Sequence, residues 1–329
     1  MLVRMARFAR HTAPRVLRPV AREDVVAVVA ARDEAASVGA CVTALLANGV
    51  REVVVVDDGS TDGTADAART AGARVVRAPP PEPGVAGKAA ACAFGAAATS
   101  GEWLWFVDAD VVVAPDALAR LLAEADETGA ALVSAFGRVA TPTPATAWLL
   151  PEIGLGLARR LSLDAVADPS SAVAFASGQC LLVRRSAYDA AGGHDVTATV
   201  EDVALAARVK ARGLPVRVVL GPDFYTTAMY GTLGEAWNGL RRSASTVRPS
   251  AVREVASLAA ALLPVLLWRT RAGKAAYAAQ VVASAGGRWV SGAPVWPAAG
   301  APFAQAWLAA NALAAHRRAP VRWRGRDAP

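Results

Sequence analysis

Four consecutive valines, Val53 to Val56, run straight into Asp57-Asp58-Gly59-Ser60-Thr61-Asp62-Gly63. An unbroken β-branched run has no polar face, so it suits a strand covered on both sides, as in a parallel sheet flanked by helices. The pattern recurs along the chain. Val25 to Ala31 is an apolar run followed by Asp33 and Glu34, which suit the first turn of a helix reaching to about Ala47. Glu52 to Asp57 and Ala73 to Arg77 read as strands around a helix from Asp62 to Ala71. Lys88 to Ala98 is Ala-rich and helical, Trp103 to Val107 is a strand, and Pro115 suits the first turn of the next helix. Strands are expected again at Ala131 to Phe136, Gln179 to Val183 and Val216 to Leu220, with helices at Ser186 to Ala191 and Val203 to Arg212. Such alternation predicts an α/β fold with a mostly parallel sheet.

Three segments follow from composition. Residues 1–24 carry Arg4, Arg7, Arg10, Arg15, Arg18 and Arg22 without the apolar run of a signal peptide. This basic arm is either solvated or laid on anionic headgroups. Residues 25–250 form the α/β domain. Residues 251–329 turn to Ala, Leu, Val, Trp and Pro, with an uncharged stretch from Trp289 to Ala315. Its length permits a membrane span, but Pro294, Pro297 and Pro302 argue against one, and Val255 to Trp268 is too short. Membrane embedding or interfacial docking is expected of this hydrophobic helical region, with a soluble appendage as the alternative. Arg269, Arg271, Lys274 and Arg288 suit a cytoplasmic membrane surface.

A net charge of +7 and a pI near 9.9 favour an anionic partner. Nucleic acid is disfavoured, because zinc-finger spacing, a helix-turn-helix and aromatic RNA-binding motifs are all missing from the sequence. Cys41, Cys92 and Cys180 lie far apart in apolar stretches and are expected to be buried and reduced. His11, His194 and His316 are too scattered for a histidine metal site.

The chemistry is carried by acids at strand ends, where open parallel sheets bind ligands. Asp62 is placed to cap a helix, whereas Asp57 and Asp58 are read as acceptors for a base or ribose. Asp108-Ala109-Asp110 ends a buried strand, and hard divalent cations take one or two carboxylates together with substrate phosphates. Lys88 after Gly87 offers a compact cation to a diphosphate, or is an ordinary helix-start lysine. Glu201-Asp202 opens a helix: the acids either complement its dipole or supply a general base. Gly178-Gln179 precedes a strand and is expected near donor sugar or acceptor, with a simple strand-entry turn as the alternative. His194, after two glycines, lines the acceptor mouth or sits on a surface turn.

These residues, in this order from about Val25 to Ser245, resemble the family 2 glycosyltransferases of the GT-A nucleotide-sugar-binding fold. The resemblance implies that Ala31-Arg32-Asp33-Glu34 and Asp58 hold the nucleotide, joined by Lys88 and Asp108 on the donor. It implies a divalent metal, Mg2+ or Mn2+, on the diphosphate with Asp110 as direct ligand, and Asp202 as the base that deprotonates the acceptor. Gly178, Gln179, Glu201 and Arg242 belong to the acceptor or diphosphate region.

Pro83-Gly84-Val85-Ala86-Gly87-Lys88, Gly192-Gly193-His194, Met229-Tyr230 through Trp237 to Arg242, and Trp323-Arg324-Gly325-Arg326 are similar to membrane-associated enzymes acting on carotenoids, hopanoid-associated lipids and ceramide. Val85 departs from their tryptophan, and Leu240 and Arg242 from their aromatic and lysine. Expected partners are therefore a nucleotide-sugar donor, with a UDP-sugar first, a lipid-like acceptor and an anionic membrane, at the cytoplasmic side of the cell membrane. A sugar-phosphate nucleotidyltransferase and a non-catalytic nucleotide-sugar-binding scaffold are the rival readings.

Overall fold

A computed structural model describes residues 24–198, 200–247 and 250–315, with the short pieces 322–323 and 326–327. The basic arm, apart from its last residue, and Arg324-Gly325 lie outside the described residues. The chain forms two compact units: residues 24–138 with 162–227, and residues 139–161 with 228–315.

The first unit is α/β. In chain order it contains β1 (Val25–Ala31), α1 (Val38–Ala47), β2 (Glu52–Asp57), α2 (Thr64–Thr70), β3 (Arg74–Arg77), α3 (Gly87–Ala97) and β4 (Trp103–Val107). Next come β5 (Val111–Val113), α4 (Ala117–Thr128), β6 (Leu132–Phe136) and the dipeptide strand β7 (Arg138–Val139), at its boundary. After the excursion into the second unit follow α6 (Leu163–Ala167), β8 (Cys180–Arg184), α7 (Arg185–Ala190), α8 (Glu201–Ala211), β9 (Val216–Leu220) and β10 (Tyr225–Thr227).

The main sheet has the order β3-β2-β1-β4-β8-β6-β9. Strands β3, β2, β1 and β4 are mutually parallel, β6 and β9 are parallel, and β8 alone runs antiparallel to both its neighbours. The valine runs of β1 and β2 are buried on both faces, as their lack of alternation demands. Helix α3 presses so closely that a Cβ on Gly95 would meet Val28 Cγ1 at 2.5 Å and Val56 Cγ2 at 2.7 Å, so only glycine fits there. All three cysteines are buried and free.

The reversal of β8 matters for the site. In a parallel sheet functional residues gather at the strands' carboxyl ends, and an antiparallel strand brings its first residues to that same edge. Val107 pairs with Cys180, so Gly178-Gln179 arrives beside Asp108, whose N–H donates to the Gln179 carbonyl at 3.4 Å.

The structure corrects several expected boundaries. Asp33 and Glu34 do not open a helix: Asp33 has a positive φ of 52° and α1 begins only at Val38. Their loop is instead tied to the next one, because Asp33 Oδ1 accepts from Thr61 N–H at 2.8 Å and Glu34 N–H donates to Thr64 Oγ1 at 2.8 Å. Pro115 precedes α4, whose N-cap is Asp116. The formal cap of α2 is Gly63, yet Asp62 still serves the helix start by accepting from Thr64 N–H at 3.0 Å and from Ala35 N–H at 3.1 Å.

The second unit is helical: α5 (Pro144–Arg160), α9 (Leu233–Val247), α10 (Ala251–Leu266), α11 (Arg271–Val290), a 3-10 turn (Trp296–Gly300) and α12 (Ala301–Ala315). Helix α5 falls inside the stretch read as α/β domain, yet it belongs to this unit. The uncharged stretch from Trp289 to Ala315 is divided among the end of α11, the 3-10 turn and α12. Among the described residues no helix is long and apolar enough to cross a membrane.

Candidate active site

Two side-chain clusters sit where the strands of the α/β unit end. The first lies after β1 and β2. Asp58 N–H donates to the Ala31 carbonyl at 2.9 Å, and Arg32 Nη1 reaches the Asp58 carbonyl at 3.1 Å and its carboxylate at 3.8 Å. Asp57 is spent on the turn itself, accepting from Ser60 N–H at 2.8 Å. It therefore braces the loop through that oxygen, while Asp58 stays beside Arg32. Glu34 Oε2 accepts from Ser37 Oγ at 2.9 Å.

The second cluster joins α3, β4, the β8 entry and α8. Lys88 Nζ lies 2.7 Å from Asp108 Oδ1 and 2.9 Å from Glu201 Oε1. Asp202, next along α8, accepts from Gly178 N–H through Oδ2 at 2.6 Å and from Val203 N–H through Oδ1 at 2.8 Å. Lys88, Asp108, Gly178, Glu201 and Asp202 thus meet at one edge, although 114 positions separate the first from the last. Gln179 turns its side chain to Tyr225, whose hydroxyl donates to Oε1 at 2.8 Å.

Charge is unevenly shared in this cluster. Burial raises Asp202, and the neighbouring Glu201 carboxylate raises it further, up to about 6 despite the opposing pull of Lys88. Burial also pushes Glu201 upward, but the Lys88 ammonium outweighs it and holds Glu201 below the usual carboxylate range. Asp108 is raised by burial against the pull of Lys88. Lys88 itself is lowered by burial, yet Asp108 and Glu201 hold it well above its ordinary value. Adjacent acids pushed apart in this way take different roles: one stays an anion, and the other can take up a proton near neutrality.

Asp110 stands slightly apart, its Oδ2 accepting from Thr227 Oγ1 at 2.8 Å across the β5–β10 pair. Thr227 and Tyr225 escaped the sequence reading, since a three-residue strand carries no periodicity to detect. Among the described residues no three His, Cys, Asp or Glu side chains gather as a ready metal site. Asp108 and Asp110 nonetheless offer hard carboxylate oxygens one residue apart, the one or two that Mg2+ or Mn2+ takes when phosphates and water complete the shell. The residues fit such an ion in the company of a diphosphate.

His194 does not line an open mouth. It is buried, 4.6 Å from the Phe106 ring edge to face, with Nδ1 3.0 Å from the Tyr188 hydroxyl. That hydroxyl also accepts from His194 N–H at 3.2 Å. Burial lowers the imidazole to about 4, so it is neutral. His194 shares with Lys88, Cys92, Asp108, Glu201 and Asp202 the lining of a small cavity of about 10 Å3, room for about one water. The side chain of Arg242, on α9, lies outside those described.

The sequence model described as "Glycosyl transferase family 2" matches residues 26–192, just over half of the chain, and the protein belongs to that family. The match takes in Arg32, Asp58, Lys88, Asp108, Asp110 and Gly178, and ends before Glu201-Asp202. Among solved structures, the mannosyltransferase PcManGT from Pyrobaculum calidifontis, in complex with GDP-Man and Mn2+, is similar with a TM-score of 0.59 at 20% identity, over 96% of this chain and 94% of that one. Glucosyl-3-phosphoglycerate synthase from Mycobacterium tuberculosis, with Mn2+ and UDP-glucose, has a TM-score of 0.49 at 23% identity, over 68% and 78% of the respective chains. No curated protein sequence matches the chain. The chain is a family 2 glycosyltransferase with an α/β, GT-A-like fold.

Proposed function

We propose that the protein is an inverting glycosyltransferase that moves a sugar from a nucleoside-diphosphate sugar to a hydroxyl or carboxyl group of a lipid-like acceptor. The observation that carries this reading is the Asp202 carboxylate, fixed by the Gly178 N–H and raised beside the Lys88, Asp108 and Glu201 cluster.

Asp202 is the general base. Its two oxygens hold one backbone N–H each and retain lone pairs for the acceptor proton. As that proton moves to Asp202, the acceptor oxygen bonds to the anomeric carbon and the carbon–oxygen bond to the diphosphate breaks on the opposite face. Arg32 and Asp58 hold the nucleoside, and Ala31 and Glu34 shape its loop. Lys88 lies beside the departing diphosphate and orients Asp108 and Glu201. Asp110, with Asp108 beside it, would hold a divalent cation, which would supply electrostatic relief for charge on the diphosphate. Gln179 and Arg242 belong to the acceptor or diphosphate side.

A membrane setting on the cytoplasmic side is part of the reading. It is supported by the charge of +7 and the exposed Arg269, Arg271 and Lys274. The donor panel must include UDP- and GDP-sugars: the sequence leans to uridine, while the Pyrobaculum protein was solved with GDP-Man.

The test is release of nucleoside diphosphate by the purified chain, across that panel, with Mg2+ or Mn2+ and a lipid extract. Release that needs donor, metal and lipid is expected. Pyrophosphate release from a nucleoside triphosphate and a sugar phosphate would establish a nucleotidyltransferase instead. Donor binding without transfer to any acceptor would establish a scaffold.

A further inference from the structure

Two helices of the helical unit carry apolar stripes at the surface. Along α10, Val252, Val255, Ala259, Leu263 and Leu266 recur every three or four residues and form one stripe, and all are exposed, Val252 at 80% and Leu266 at 77%. The opposite side buries Glu254, whose carboxylate accepts from Arg160 Nη2 at 3.0 Å. Helix α11 repeats the arrangement. Ala275, Ala278, Val282 and Trp289 face outward, Val282 at 65% and Trp289 at 78%, while Ser284 and Arg288 are wholly buried.

Where Ser284 and Arg288 enter, the interior is polar, while Leu149, Leu150, Ala236 and Ala304 form an apolar cluster in the same unit. Arg288 donates to the carbonyls of Ala147 at 2.6 Å and Trp148 at 2.7 Å and to Glu152 Oε1 at 3.2 Å, and Ser284 also bonds Glu152. Gln305 Nε2 reaches the other Glu152 oxygen at 3.1 Å. A helix of a water-soluble bundle turns its apolar stripe inward. These two turn it outward and keep their ionic groups inside, which is stable where the surroundings are themselves apolar.

Charge narrows the surroundings. Between residues 251 and 315 Glu254 is the one carboxylate, and it is buried, whereas Arg253, Arg269, Arg271 and Lys274 are all exposed. A second copy laid on this face about a two-fold axis would bring cations against cations. An anionic bilayer offers hydrocarbon to the stripes and phosphates to the cations. Trp268, Trp289 and Trp296 are exposed, and tryptophan favours the level of the headgroups. With 16 and 20 residues, α10 and α11 are about 24 and 30 Å long. Neither qualifies as a span, which leaves lying in the interface.

We infer that the outward stripes of α10 and α11 form a monotopic docking face for an anionic lipid bilayer, with Leu266, Val282 and Trp289 in the acyl boundary and Arg269, Arg271 and Lys274 at the phosphates. This deepens the membrane setting proposed above and rests on it. Its test reads binding and not turnover, so either can fail alone.

The full chain is mixed with vesicles of phosphatidylcholine alone or with about a third phosphatidylglycerol, and sedimented. Brominated acyl chains report tryptophan depth by quenching. The wild type is expected to sediment with the anionic vesicles and to be quenched. The triple variant Leu266→Gln, Val282→Gln, Trp289→Gln alters only exposed side chains; a circular dichroism spectrum and donor affinity equal to the wild type establish its fold. It should lose at least tenfold in vesicle affinity. Arg269→Gln with Arg271→Gln and Lys274→Gln should lose the preference for anionic lipid. Absence of wild-type vesicle binding, or unchanged affinity of the folded triple variant, overturns the inference. So does a lipid-free dimer that the triple variant abolishes, since a second copy then covers this face.

Discussion

Asp202 Oδ2 accepts a 2.6 Å hydrogen bond from the backbone N–H of Gly178, so the proposed base is oriented by main chain. Replacing Asp202 with Asn removes the proton acceptor while keeping the shape. Turnover should fall about 10²–10⁴-fold, with the donor dissociation constant changed no more than about threefold. Near-normal turnover in Asp202→Asn would remove Asp202 from the mechanism. Gly178→Ala is subtler. The new methyl would lie 3.2 Å from Asp202 Oδ2 and 3.3 Å from Lys88 Nζ, tight enough to shift one of them by tenths of an ångström. A drop of about tenfold in kcat is expected, since displacements of about 1 Å cost about 100-fold.

The pH profile carries its own prediction. A base raised by burial and by Glu201 loses its charge on acidification, so kcat/KM should fall as pH drops through about 6. Lys88 opposes that rise. Lys88→Gln removes the opposing cation and should move the acidic limb upward in pH, beyond any loss of donor affinity. A limb that stays in place would show that Lys88 serves the donor alone.

His194 links the fold itself to pH. Its folded value is about 4 against an ordinary 6.5, with burial as the leading cause. Between those values the unfolded chain binds more protons, so stability is full above about 6.5 and is lost as pH falls toward 4. The difference amounts to about 3 kcal/mol. Urea midpoints measured from pH 7.5 to 4.5 should decline, and His194→Gln should flatten that part of the decline even if it lowers the midpoint at neutral pH.

Much of the α/β unit was legible because its strands are all-apolar runs. Glu52–Asp57, Trp103–Val107 and Val216–Leu220 fall where the sequence puts them. Other features needed contacts that no local pattern reports. β5 and β10 are three residues each, so the Thr227 bond to Asp110 was hidden. The Asp33 turn looked like a helix start because an acid after a strand suits one, but the loop is held by Thr61 and Thr64. Helix α5 went unread, although Thr143 as N-cap and Pro144 at the first position are the signals that could have found it. The meeting of Lys88 with Asp108 and Glu201 depends on the reversal of β8 and on α8 packing, which are properties of the fold. Average hydropathy of residues 251–315 says nothing of direction, so the outward stripes of α10 and α11 appear only in three dimensions.

The Glu152–Arg288 pair tests the interior of the helical unit. Both side chains are wholly buried, and Arg288 also satisfies two carbonyls of α5. Removing one partner strands the other charge, so Arg288→Met and Glu152→Leu should each destabilise the unit, Arg288→Met by about 3–5 kcal/mol. Removing both, as Glu152→Leu with Arg288→Met, should recover part of that loss, because an apolar replacement carries no desolvation penalty. The Ala147 carbonyl, four residues before Pro151, has no intrahelical donor once Arg288 is gone, so recovery should stay incomplete. Denaturant melts of the two single variants and the double variant supply the cycle. A double variant no more stable than the sum of the singles predicts would show that the pair contributes no coupling.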